Sequence, residues 1–258
     1  MAPQMFGQFH IGVALGGGAA AVILAKIVSR GTARPAGCPS QNGSANIGLY
    51  RLLFVCGLVM AASEVWKQLF YYRVVYHAFN WWYFPFQLCS VPMYLCLALP
   101  ALKERGRTVV CTFLWSFTFL GTAAALIYPQ DMLRPYTALT AHAFGWHLLL
   151  VFISFVCFFG RLAGDRARDF GGAVLLFLGL AGVATAVNVI GEHAGTILGT
   201  YPNMFYISPY HLSDQPGFHG ASQVIGIWPA IAVYLAGIVG IAAVLHVIYA
   251  KTWRFRVK

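Results

Sequence analysis

The stretch GGAVLLFLGLAGVATAVNVIG, residues 171–191, runs for 21 residues without a charged side chain. As a helix rising 1.5 Å per residue it spans roughly 30 Å, the hydrocarbon thickness of a bilayer. Backbone groups in lipid must be bonded within the structure that crosses, so such a run is a helix or a barrel strand. Barrel strands alternate polar and apolar positions over about ten residues. This run does not alternate, and the helical reading follows.

Similar runs recur on both sides of it. They predict spans at about 8–28, 47–71, 84–102, 108–128, 136–160, 171–191 and 222–250. The expected fold is all-α: a polytopic seven-transmembrane-helix bundle forming one domain over residues 1–258. Composition agrees, with 59% apolar residues and 9% charged, against about 25% charged in a soluble domain. The mean hydropathy is +0.70. The leader MAPQMFGQFH has no Lys or Arg, so it lacks the basic region of a signal peptide and the first run is kept as a helix.

Charge sets the expected direction. Lys26, Arg30 and Arg34 follow span one, and Lys103, Arg105 and Arg107 follow span three. Arg161, Arg166 and Arg168 follow span five, and Lys251, Arg254, Arg256 and Lys258 follow span seven. With Arg51 these make 14 of the 17 basic residues on one side; Lys67, Arg73 and Arg134 fall on the other. Basic loops stay in the cytoplasm, so the N-terminus is expected outside and the C-terminus in the cytoplasm. The net charge of +10 is thereby spent on orientation, and no nucleic-acid partner is expected. The expected partners are membrane lipids; no feature of the sequence sets an oligomeric state.

Charged groups inside a membrane are costly and mark function. Span two holds Glu64 and Lys67, three residues apart on one helical face, with Tyr71 a turn further. Span three carries Pro85, Gln87, Ser90 and Tyr94. On an ideal helix Cys89 points about 160° away from Gln87. Span five holds His142, with His147 about 140° around the helix. Span six carries a polar stripe of Thr185, Asn188 and Glu192. Together with Asp131, Arg134 and Gln223, these residues are expected to converge on the outer half of the bundle as one polar pocket. The six cysteines show no CxxC spacing and the histidines no HxxxH spacing, so neither a metal nor another cofactor is expected. The connection GTYPNMFYISPYHLSDQPGFHG, residues 199–220, is aromatic, holds three prolines and has no Lys or Arg. It reads as a lid or re-entrant segment rather than a disordered loop.

Four of these features resemble the YwaF-type bacterial integral membrane proteins: Glu64-x-x-Lys67, YFPFQLCS (Tyr83–Ser90), His142, and the turn NMFYISP (Asn203–Pro209). The similarity covers about residues 47–250. Members typically carry His where this chain has Gln87. A related eukaryotic branch comprises membrane acyltransferases acting on ether phospholipids through a cysteine placed directly after the span-three proline. Here Phe86 stands there, and the nearest thiol is Cys89. The resemblance implies a bacterial plasma-membrane location and a lipid-directed acyltransferase or hydrolase. His142 and Cys89 are its expected catalytic residues. Glu64, Lys67, Gln87, Ser90, Asn188, Glu192 and Asn203 are its expected substrate-binding residues. The alternative is a proton-coupled small-molecule transporter or ligand-binding receptor using the same pocket. An opsin-like receptor is disfavoured, because Lys251 lies at the end of span seven rather than inside it.

Overall fold

The long apolar runs fold as helices in the computed structural model, which describes residues 5–30, 44–195, 200–212, 215 and 217–254. Arg34, Cys38, Arg256 and Lys258 lie outside the described residues. Among the described residues there is no strand, and six helices are long and apolar enough to cross a membrane. These are α1 (Gln8–Arg30), α2 (Asn46–Tyr76), α4 (Glu104–Ile127), α5 (Thr137–Phe159), α6 (Ala167–His193) and α8 (Ile227–Trp253). A shorter apolar helix, α3 (Val91–Ala101), lies between α2 and α4, and α7 (Phe218–Ile225) precedes α8.

Two sequence expectations change in detail. The run expected as a helix over 84–102 is regular only from Val91, and α3 spans roughly 16 Å. Residues 81–83 form a 3-10 turn, and the chain from Phe84 to Ser90 is held by short turns, including Ser90 N–H to the Gln87 carbonyl at 2.7 Å. Pro85, Pro92 and Pro100 explain this, since each removes a backbone donor and crowds the preceding turn. The run expected from 222 breaks at Gly226, whose φ of 85° caps α7 before α8 begins. Glycine reaches that left-handed conformation without a Cβ clash, and Pro229 then sits in the first turn of α8.

Packing is centred on α4 and α5. α1 lies against α5, α2 against α3, α4 against α6, and α8 against the wide turn Leu114–Thr118 of α4. Phe113, Leu114 and Phe117 are fully enclosed there. Trp115 stacks on Phe119 at 5.5 Å and donates its indole N–H to the Leu245 carbonyl at 3.2 Å. Buried hydroxyls satisfy themselves on their own helices: Thr112, Ser116 and Ser154 each donate to the carbonyl four residues back, at 2.7–2.9 Å. That is the cheapest way to carry a hydroxyl where water is absent.

Contacts near the helix ends locate the chain reversals. Arg107, in the first turn of α4, lies over the ring of Tyr50 near the start of α2, at 5.2 Å. Arg161 lies over Trp253 at 4.2 Å, and Tyr249 donates to the Ala163 carbonyl at 2.7 Å. His10 bonds the Leu126 carbonyl near the end of α4 at 2.7 Å.

Candidate functional site

Glu64 and Lys67 occupy one face of α2, and their charges meet at 2.8 Å. One turn on, Gln68 donates its side-chain amide to the same Glu64 oxygen, Oε1, at 2.7 Å, and to the Tyr83 carbonyl at 2.6 Å. Glu64 is only 4% exposed, and its second oxygen, Oε2, is buried with no protein hydrogen-bond partner. A carboxylate oxygen left dry in this way costs free energy unless something else reaches it.

Across from this pair, α5 presents His142, Trp146 and His147. The His142 ring is held between Trp66 and Trp146, with centroids 5.6 Å away on each side. The main chain of Ser63 bonds the ring, while Nε2 is buried without a partner. Trp146 also donates its indole N–H to the Cys89 carbonyl at 3.0 Å, so it touches both residues expected to be catalytic. The Ser90 side chain contacts the Cys89 thiol. His147 bonds the carbonyl of Ala143, a turn earlier, at 2.7 Å.

These groups enclose a cavity of about 310 Å³. Of the residues expected from sequence, Glu64, Lys67, Gln87, Cys89, Ser90, Asp131, Arg134 and His142 line it, whereas Gln223 does not. Cys89 and Gln87 share this lining despite their ideal-helix separation, because residues 84–90 are turns rather than helix. His142 and His147 also both reach it, for the cavity spreads around a broad side of α5. The remaining wall is apolar and aromatic, with Leu88, Leu139, Phe205 and Tyr234 among its members. Charge is thus gathered in a chamber that is otherwise fit for hydrocarbon.

Asn188, Glu192 and Asn203 lie off the cavity wall. Asn188 accepts from the Met204 N–H at 2.6 Å and donates to the Met204 carbonyl at 3.1 Å. Gln87 does the same for the neighbouring residues, donating to the Asn203 carbonyl at 2.9 Å and accepting from Phe205 N–H at 2.8 Å. Asn203 closes its own turn by accepting from Ser208 N–H at 2.9 Å. Three side-chain amides therefore hold one tight turn, Met204–Tyr206. In it Phe205 and Tyr206 both adopt left-handed φ, 56° and 59°. Such geometry is strained in residues with a Cβ and persists only where the surroundings over-determine it. The strained pair faces the cavity. Glu192 pairs instead with His211 at 2.8 Å, and His211 stacks on Tyr201 at 3.8 Å. Thr185 bonds its own helix, so the polar stripe of α6 serves three separate purposes.

At the rim, Tyr206 donates to Asp131 at 2.8 Å. Burial pushes the Tyr206 hydroxyl well above its usual range and the Asp131 carboxylate adds to this, so Tyr206 remains a donor at neutral pH. Tyr83 stacks on Tyr71 at 3.9 Å and accepts from Arg134 at 3.3 Å. Sequence reasoning missed Gln68 and Trp146, and held Tyr83 and Tyr206 only as members of the quoted motifs. Of these, Gln68 carried a signal, its i+4 spacing from Glu64.

Six apolar helices long enough to span among the described residues, with a cavity lined by charge against α2, α4, α5 and α8, define a multi-pass membrane protein. No curated protein and no solved structure matches the chain. The chain belongs to the TMEM164 family, whose model matches residues 5–250.

Proposed function

We propose that this protein is a lipid-directed acyltransferase or hydrolase, with the central cavity as its site. The observation that carries the reading is the pairing of two buried polar atoms without protein partners, Glu64 Oε2 and His142 Nε2, with Cys89 and Ser90 in one chamber. The chamber's mixed lining suits an ester that joins a polar headgroup to a hydrocarbon chain. In the reaction proposed, the Cys89 sulfur attacks the ester carbonyl and His142 takes the thiol proton. The ester C–O bond then breaks, and the lyso-lipid leaves with that proton. The acyl thioester passes its chain to the hydroxyl of a second lipid, or to water. Lys67, which lines the same chamber, stabilises the oxyanion in this reading. The motif resemblance to YwaF-type proteins and their acyltransferase relatives supports His142 as a site residue, whereas Phe86 stands where the acyltransferase branch carries its cysteine, so Cys89 is proposed from the cavity lining alone.

The assay is purified protein with fluorescent phospholipids. Wild type is expected to transfer or release acyl groups, and His142→Ala is expected to lose at least about 100-fold, the lower range for a general base. Cys89→Ala is expected to be inactive and Ser90→Ala to retain activity. Activity surviving Cys89→Ala eliminates the thioester route. Inactivity of wild type across a broad lipid panel rejects acyl chemistry in favour of proton-coupled transport, measured as flux in liposomes with Glu64→Gln as control.

The same reading places the cavity in the outer half of a plasma membrane crossed seven times. Residues 77–103 are taken as one broken crossing, since α4 starts beside the beginning of α2 at the Arg107–Tyr50 contact. The basic residues around that contact are then cytoplasmic. Single-cysteine labelling in intact cells is expected to reach position 211 from outside and position 166 only after permeabilisation. Labelling of both from one side overturns the topology.

A further inference from the structure

A second hollow, about 340 Å³, shares Glu64 with the central cavity. Its wall on α2 is the stripe Ala61, Val65 and Leu69, spaced four residues apart, which makes a trough about 12 Å long parallel to the helix. Met93 and Tyr94 of α3 form the other wall. Val65 and Leu69 are 60% and 54% exposed on a helix apolar enough to span, so their surroundings are acyl chains rather than water. Ala61 and Pro85 also line the depression between α2 and α3.

What separates the trough from the cavity is thin. Glu64 lines both spaces, and Gln68 lines the trough. The Gln68 amide bridges Glu64 Oε1 and the Tyr83 carbonyl, so two hydrogen bonds from one side chain close this part of the wall. The Glu64 oxygen not engaged in that latch, Oε2, is the buried one without a partner.

We infer that the trough between α2 and α3 is a lateral docking site for one acyl chain of a membrane phospholipid, separated from the central cavity by the Glu64–Gln68 latch. The inference rests on the lipid reading of the cavity. An acyl chain is the occupant because the trough is elongated along a spanning helix and its exposed stripe is apolar. Glu64 and Gln68 also line it beside the apolar stripe, Gln68 near the Leu69 end, and offer polar groups to the ester of a lipid. A docked chain is thereby held next to the chamber where its ester would react, and no passage through water is needed.

The test uses full-length protein in phosphatidylethanolamine nanodiscs containing a tracer phospholipid with a diazirine on its acyl chain. After photolysis, adducts are mapped by mass spectrometry. Labelling within 61–69 and at Met93 is expected to exceed that at Leu175, a 72% exposed position on α6, by about tenfold, the ratio given by roughly 1.4 kcal/mol of preference. Val65→Trp, at an exposed position where folding is undisturbed, is expected to remove that excess by filling the trough; Leu175→Trp is expected to leave it intact. Equal labelling of trough and Leu175 with adducts at Leu139 or Tyr234 in the cavity overturns the trough and leaves the lipid reading standing. An excess untouched by Val65→Trp also overturns the trough. Absence of adducts from both spaces overturns both.

Discussion

Lys67→Met is expected to destabilise the protein by about 3–5 kcal/mol, the range for removing one partner of a buried ion pair. The Lys67 and Glu64 side chains are 18% and 6% exposed, so the carboxylate left behind has little water to turn to. Gln68 still donates to Oε1, but Oε2 has no partner even in the wild type. Glu64→Gln is expected to cost less, because the Lys67 side chain is long enough to carry its charge toward the rim of the cavity. The double variant is expected to recover part of the Lys67→Met loss, since no unpaired charge remains. Thermal unfolding in detergent reads this as a fall of roughly 10 °C for Lys67→Met, at about 2–4 °C per kcal/mol for a chain of this size. A Lys67→Met variant as stable as Glu64→Gln would mean that Glu64 is neutral or hydrated through the cavity.

Asn188→Ala is the second large effect. The side chain accepts from the Met204 N–H and donates to the Met204 carbonyl, which also accepts from Ile207 N–H at 3.2 Å, and Met204 is fully buried. Truncation leaves the buried Met204 N–H unsatisfied, at about 1–3 kcal/mol, while the carbonyl keeps its bond from Ile207 N–H. It also releases one of the clamps on the strained residues Phe205 and Tyr206. The expected loss is about 1–3 kcal/mol, with a reshaped cavity wall as the functional consequence. Asn188→Asp keeps the acceptor for Met204 N–H but turns a carboxylate toward the Met204 carbonyl, and is expected to fall short of wild type as well. The check is thermal stability together with the rate of limited proteolysis in the 200–212 connection. An Asn188→Ala protein with wild-type values for both would show that Gln87 and Asn203 hold the turn unaided.

Much of the architecture was legible in the chain because lipid imposes a simple rule on it. A run such as 171–191 has to be a helix wherever it packs, since its backbone has no other partner in hydrocarbon. The membrane class and the extents of most long helices follow from that rule. Prolines limited it: Pro85, Pro92 and Pro100 shortened the helix expected over 84–102, and Gly226 divided the last one. Glu64 and Lys67 were visible as a pair for an equally local reason, their i, i+3 spacing.

Tertiary structure decided which polar residues share a chamber. Cys89 and Gln87 face the same cavity because the chain between Phe84 and Ser90 is turns, which helical spacing does not describe. Asn188, at the right depth for the pocket, spends both ends of its amide on a main-chain turn sixteen residues ahead. Glu192 finds His211 in the connection that follows, and the polar atoms of Glu64 and His142 become partnerless only when α2 and α5 enclose them. The physical reason is range. Hydrocarbon acts on each segment separately and is read from composition, whereas a polar side chain is satisfied by whichever backbone the fold brings within about 3 Å.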